Sequence, residues 1–153
     1  VRKYKQEIAD RDTLEDILRR ALVCRIGLAD GNAPYIVPVC FGYRNGHIYF
    51  HSAREGRKID IIRRNKHVCF EAEVDVEVVP GEPACKWTMK YKSVIGFGAA
   101  SLVEDRDEKI HALNVIMDHY SAAGSYDYES HALDLAAIIK IEITSMTGKR
   151  SKA

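Results

Sequence analysis

The sequence predicts a mainly β fold, a small antiparallel barrel of about six strands with three or so helices on its periphery. Short runs rich in Val, Ile, Tyr and Phe follow one another from Cys24 onward. Asp30-Gly31 and Asn45-Gly46 separate the first three runs, and these dipeptides are the strongest short-range hairpin signals a chain carries. The runs are joined by turns rather than by the helical crossovers a parallel sheet requires. No G-x-G-x-x-G follows the first strand and no Walker phosphate loop is present, so a Rossmann-type sheet is disfavoured.

The elements follow in order. Asp12 with Glu15 has the form of a capping box, and Leu14, Ile17, Leu18, Ala21 and Leu22 recur at helical spacing, so an amphipathic helix opens the domain. Antiparallel strands are expected over 24–29, 35–43 and 47–51. Residues 52–58 form a loop feeding a short helix that carries Ile59, Ile61 and Ile62 and ends near Asn65. Over 68–79 apolar residues alternate largely with acidic or small ones, the pattern of a half-buried strand, which Pro80-Gly81-Glu82-Pro83 terminates. Residues 89–103 read as another strand, with Gly96 and Gly98 marking a bend or bulge where a sheet turns a barrel corner. Asp105 or Asp107 caps a helix with Ile110, Leu113, Ile116 and Met117 on one side. A small polar loop over 122–128, a last strand over 136–143 and a basic tail over 147–153 complete the chain. With no repeat, low-complexity segment or composition break, residues 1–153 are expected to form a single domain.

The chain has 153 residues, 46% of them hydrophobic. Scaling relations for this size give roughly 70% of the unfolded surface buried, enough for a core without disulfides. Its 23 basic and 22 acidic residues nearly cancel, too balanced for the basic field of a nucleic-acid binder, so any anion site must be local. No run approaches the ~20 apolar residues of a membrane span and the first ten residues are polar, so a cytoplasmic protein is expected. Cys24, Cys40, Cys69 and Cys85 lack zinc-site spacing; the first three fall in apolar runs and read as core residues of a reducing compartment. No metal site, Ser-His-Asp order or paired glutamates for hydrolysis stands out.

Three segments offer chemistry. In His47 to Asp60, HIYFHSAREGRKID, a strand ends at His51 and Ser52, and a turn then gathers a hydroxyl, Gly56, the amides of a helix start, Arg57 and Lys58. These are the parts of a phosphate site, since a helix N-terminus offers free N–H donors and partial positive charge that Lys and Arg complete. A solvated basic loop with Ser52 as a simple cap is the alternative. In PYIVPVCFGY, Pro38 inside a strand implies an edge or bulge, leaving backbone groups free to read the polar edge of a planar heterocycle, or else an ordinary edge strand. In YKSVIGFGAA the glycines admit a close backbone or ligand, or relieve barrel curvature. His51 is the one histidine placed beside the candidate phosphate turn; His111 and His119, two helical turns apart, are expected at the surface.

The order of PYIVPVCFGY, NGHIYFHSA, REGRK, HVCFE and YKSVIGFGAASLVED resembles the pyridoxamine 5′-phosphate oxidase-like flavoproteins, and IYFHSA-x-EG-x-K with SVIGFG-x-A resembles their 5-nitroimidazole antibiotic resistance (Nim-type) branch. The resemblance covers about residues 12–148. It implies a split β-barrel that binds FMN, usually as a homodimer with the cofactor at the subunit interface. By position it puts the FMN phosphate on Ser52 and Lys58, with Arg57 and the Gly56 backbone assisting. The isoalloxazine then lies along Val37, Pro38, Val39 and Cys40, with His51 close by and Ser93 approaching from the partner. Cys40 departs from the asparagine of the branch pattern PVNF, which leaves backbone rather than side-chain contacts there. The substrate-binding pattern of true pyridoxamine phosphate oxidases is not evident near the C-terminus.

The activity implied is an FMN-dependent reductase, passing electrons from a nicotinamide or deazaflavin donor to a small acceptor such as a nitroaromatic or quinone. Two other readings stand beside it: a flavin-binding or storage module without turnover, and a split barrel holding haem or another phosphorylated ligand.

Overall fold

The computed structural model describes residues 4–151. A two-residue strand β1 (Glu7–Ile8) leads into helix α1 (Arg11–Arg20). The α1 cap is Asp10, whose carboxylate accepts from Thr13 N at 2.9 Å and Thr13 Oγ1 at 2.6 Å. The expected Asp12–Glu15 box does not form. Glu15 instead lies between Arg11 and Arg19, with ion pairs of 2.8 and 2.6 Å. The helix buries Leu14, Ile17 and Leu18, the spacing its sequence predicts.

Strands β2 (Cys24–Asp30) and β3 (Ala33–Val39) form a hairpin over Gly31 and Asn32, of which only Gly31 has positive φ. β4 (Gly42–Arg44) and β5 (His47–Ala53) form a second across Asn45 and Gly46, both at positive φ, the type I′ geometry Asn-Gly favours. The expected strand over 35–43 is thus interrupted at Cys40 and Phe41, and Cys40 is exposed rather than in the core. Helix α2 (Arg57–Arg64) follows and stops at Asn65, as expected.

Two long strands, β6 (His67–Val79) and β7 (Thr88–Val103), pair along most of their length. Helix α3 (Arg106–Tyr120), capped by Asp105, buries Lys109, Ala112, Val115 and Ile116, a face rotated from the one expected. A Cβ added at Gly42 would collide with the Val115 backbone. Close approach of α3 to β4 therefore favours the small and β-branched residues of the helix, while Met117 is left exposed. His119 is half-buried, not a surface residue: its Nε2 donates to Ala21 O at 2.6 Å. A short helix α4 (Ser130–Leu135) that the sequence did not announce precedes β8 (Ala136–Arg150). β8 runs through most of what read as a basic tail because that stretch pairs with β7 and β1.

The fold is a mainly antiparallel sheet of eight strands, ordered β3-β2-β6-β7-β8-β5-β4 with β1 beside β8. Its register slips between Phe97 and Gly98, where the glycines predicted a bulge. A Cβ on Gly96 would strike the Phe70 ring, so the missing side chain is what lets that ring lie flat against β7. The main core fills the curled sheet with Phe41, Phe50, Phe70, Ile26, Ile48 and Ile139, and a second cluster around Tyr49, Val115 and Ile138 seats α3 outside it. Among the described residues no helix is long and apolar enough to cross a membrane.

Candidate functional site

The barrel is split. β3 pairs only with β2, and β4 covers β5 only from His47 to Tyr49, so one edge of β3, and over residues 50–53 the edge of β5 away from β8, have no strand neighbour among the described residues. The two open edges belong to stretches joined through Cys40 and Phe41. That corner is held by the end of α3: Phe41 N donates to Tyr120 Oη at 3.0 Å, Tyr120 Oη donates to Leu22 O at 2.8 Å, and the Phe41 and His119 rings lie 4.5 Å apart. Burial pushes the Tyr120 phenol up, so it stays a neutral donor.

The first two residues of α2 reach opposite sides of this gap. The Arg57 guanidinium carbon lies 4.5 Å from the centre of the Tyr35 ring on β3, and Lys58 Nζ lies 5.9 Å from the centre of the Phe50 ring on β5. Lys58 is half-buried, and burial alone lowers its pKa. A cation drawn partly out of water, with no carboxylate paired to it among the described residues, is a position that a bound anion would stabilise. Gly56, at φ +130°, turns the chain into α2, and no side chain caps the helix, which leaves its first N–H groups available. Ser52 sits half-buried on β5, two positions after Phe50 and so on the same face of the strand.

The other expected site residues divide around this gap. On β3, Val37 and Val39 point inward and Pro38 outward, opposite Arg25, which confirms that the proline stands on an edge strand. Cys40 follows at the exposed corner. His51 is exposed, on the face of β5 opposite Ser52. Ser93 is not brought to the split of its own chain: it sits on β7, separated from β3 by β2 and β6. Sequence reasoning missed Tyr35, Phe50 and Tyr120. The two rings looked like ordinary strand residues, and Tyr120 lies 79 positions from the amide it holds.

The outer face of the sheet carries exposed apolar residues. Ile36 on β3, Gly27 on β2, Cys69 on β6 and Phe97 on β7 form one cross-strand row, with Ile36 63% and Phe97 57% exposed. The gap above Gly27 makes a largely apolar groove of about 580 Å³. Ile95 and Met89 continue this face along β7, and Val78 stands opposite Met89 on β6. Beside Ile95, Arg25 Nη1 donates to Glu71 at 3.1 Å and Glu73 at 2.7 Å. Burial, followed by the adjacent Glu73, pushes the Glu71 carboxyl up to about 7.

Residues 10–150 match the family model for pyridoxamine 5′-phosphate oxidase. The chain belongs to that family. It is similar in structure to a candidate 5-nitroimidazole antibiotic resistance protein from Bacteroides thetaiotaomicron, with 34% identity over 94% of this chain and 86% of that one and a TM-score of 0.85. It shares the fold of the flavocytochrome Anf3 from Azotobacter vinelandii, at 18% identity over 100% and 73% of the two chains and a TM-score of 0.86. It also shares the fold of an FAD and heme binding protein from Mycobacterium smegmatis, at 16% identity over 97% and 74% and a TM-score of 0.85. No curated protein matches the chain significantly. Its fold is therefore the split barrel of the pyridoxamine 5′-phosphate oxidase family.

Proposed function

We propose that this family member binds FMN in the split and acts as an FMN-dependent reductase. The observation that carries the reading is the half-buried Lys58 beside Arg57 at an uncapped helix start, between two open strand edges. Lys58, Arg57, the Gly56 amide and the Ser52 hydroxyl would hold the terminal phosphate. The free edge of β3 at Val37, Pro38, Val39 and Cys40 would offer backbone donors and acceptors to the polar rim of the ring, with His51 at the opposite lip. When bound, FMN supplies two-electron redox chemistry, accepting from a nicotinamide or deazaflavin and delivering to a nitroaromatic or quinone-like acceptor; the chain orients it and shields it from water. Structural neighbours described as an FAD and heme binding protein and an FAD binding protein, both from Mycobacterium smegmatis, support a flavin in this fold.

The functional unit is a homodimer packed through the apolar sheet face. Ile36, Ile95 and Phe97 are each at least half exposed on this one face, the kind of apolar surface that supports association. Ser93 is half-buried on the same side of β7 as Ile95 and Phe97, so a second copy seated on this face offers its own Ser93 to the first chain's split.

The test is anaerobic stopped-flow reduction of purified protein, with its mass measured by light scattering. The proposal expects a yellow dimer whose 450 nm band is bleached by a donor and restored by the acceptor. Flavin bound but reduced no faster than free FMN leaves a storage module, and a haem spectrum replaces the flavin reading altogether.

A further inference from the structure

We propose that the crevice between the end of β5, the last turn of α2 and the start of β8 is a second anion site, taking a small phosphate-type oxyanion. Arg54, Arg63, Lys109 and Glu104 line it, with Val103 and Ala136 among its apolar walls, and its volume is about 230 Å³. It is distinct from the split. Ser52 pairs with Ala137 of β8 on one edge of β5, while the other edge of the same stretch is the open one that borders the split. The crevice lies on the β8 side, where Ala137 is part of its lining.

Charge sets this crevice apart. The chain's 23 basic and 22 acidic residues nearly cancel, and most of its described arginines stand within 4.0 Å of a carboxylate. The described exceptions are Arg54, Arg57, Arg63 and Arg150. Arg57 belongs to the split; Arg54 and Arg63 share this crevice. Lys109 forms its back wall, only 8% exposed, with Nζ at 3.5 Å from both Leu133 O and Ala136 O. Those bonds are long and weak, and neutral carbonyls leave the charge of the ammonium uncompensated. Three cations against the single carboxylate of Glu104 leave two positive charges in the crevice, with Arg54 and Arg63 exposed at its mouth and Lys109 buried at its back.

Two guanidinium groups and an ammonium are the donor types that bind phosphate oxygens, arginine above all. Glu104 adds an acceptor, which suits an oxyanion that also carries a hydroxyl, as hydrogen phosphate does. The volume falls below the ~300 Å³ at which sites for larger organic ligands begin, so the crevice takes a phosphate group rather than a whole nucleotide.

The experiment is calorimetric titration of inorganic phosphate at constant ionic strength, with chloride as the control. It is run on the FMN-saturated chain, so that the split is occupied, and separately on flavin-free Lys58→Ala, so that the outcome does not depend on whether FMN binds. One saturable phosphate per chain is expected in both, weakened tenfold or more by Arg63→Ala, with FMN affinity in Arg63→Ala unchanged. Absence of saturable binding overturns the site, as does affinity that survives Arg63→Ala but disappears in Lys58→Ala, which would return the phosphate to the split.

Discussion

Arg57 lies over the ring of Tyr35, 4.5 Å from guanidinium carbon to ring centre, and this contact ties the first turn of α2 to the edge strand β3 across the open side of the barrel. It is one of two such contacts, the neighbouring Lys58 reaching Phe50 on β5 at 5.9 Å. The cations at the mouth of the split are thus positioned by aromatic faces rather than by carboxylates. Their charge is left for a ligand.

Tyr35→Leu tests that arrangement. A partly exposed cation–π contact contributes about 0.5–1 kcal/mol, so FMN affinity should fall roughly two- to fivefold as Arg57 loses its orientation. Fluorescence quenching of FMN measures it. Affinity equal to wild type would mean that the ring does not position Arg57.

Cysteine accessibility offers a second check. Burial pushes the Cys24 thiol up to about 12, whereas Cys40 and Cys85 are exposed. Cys40 and Cys85 should react first with a thiol reagent under native conditions, and Cys24 only on unfolding. If the flavin ring lies along β3, saturating FMN slows modification of Cys40 severalfold and leaves Cys85 unaffected, as mass spectrometry of peptides would show. Equal protection of both, or of neither, contradicts that placement.

The pH dependence of stability follows from Glu71. Its carboxyl is held above the ordinary value, so between about 4.5 and 7 the folded chain binds a proton that the unfolded chain has released. This contribution is fully present below the unfolded value and is lost as pH rises to about 7. Glu15 and Asp75 act oppositely: hydrogen bonds from Arg11 and Arg20 lower them, and their contributions are lost only as pH falls below the usual carboxylate range. Glu71→Gln should therefore flatten the urea midpoint between pH 4.5 and 7 while keeping the acid-side fall. A wild-type slope retained in Glu71→Gln would remove Glu71 as its cause.

Backbone strain gives a fourth expectation. At Gly56, φ is +130° with nothing within 4 Å of an added Cβ, so Gly56→Ala meets conformational strain without a clash, costing about 1–3 kcal/mol. At Gly96 the added Cβ meets the Phe70 ring and Ser145 O, so Gly96→Ala overpacks the sheet. Both should lower the urea midpoint, but only Gly56→Ala should also weaken FMN. Equal flavin affinity in Gly56→Ala and wild type would remove the turn from the site.

Much of this architecture was legible locally. Asp30-Gly31 and Asn45-Gly46 marked both hairpins, Asn65 ended α2, and Gly96 and Gly98 marked where the register of β7 with β8 slips, although the extra residue, Thr144, lies on β8. What stayed hidden was set by distant contacts. Cys40 and Phe41 continue the apolar run past Pro38, and the strand break that falls on them is held by Tyr120 and His119 at the end of α3. The α3 face was misjudged because Gly42 selects small residues over the larger Leu113 and Met117. Residues 147–150 looked like part of a tail because their polar side chains hide a strand whose pairing comes from β7 and β1. Within the site, the order Ser52, Gly56, Arg57, Lys58 was readable, while the rings that aim the two cations were not.

The most direct test is titration of the flavin-free protein with FMN, comparing wild type with Lys58→Ala at matched ionic strength. Loss of one charge-assisted contact to phosphate, about 1.5–3 kcal/mol, predicts stoichiometric binding of one FMN per chain in wild type and affinity weakened about ten- to a hundredfold in the variant, with the circular dichroism spectrum unchanged. No binding by the wild-type chain, or equal affinity in both, would contradict a flavin phosphate held at the start of α2.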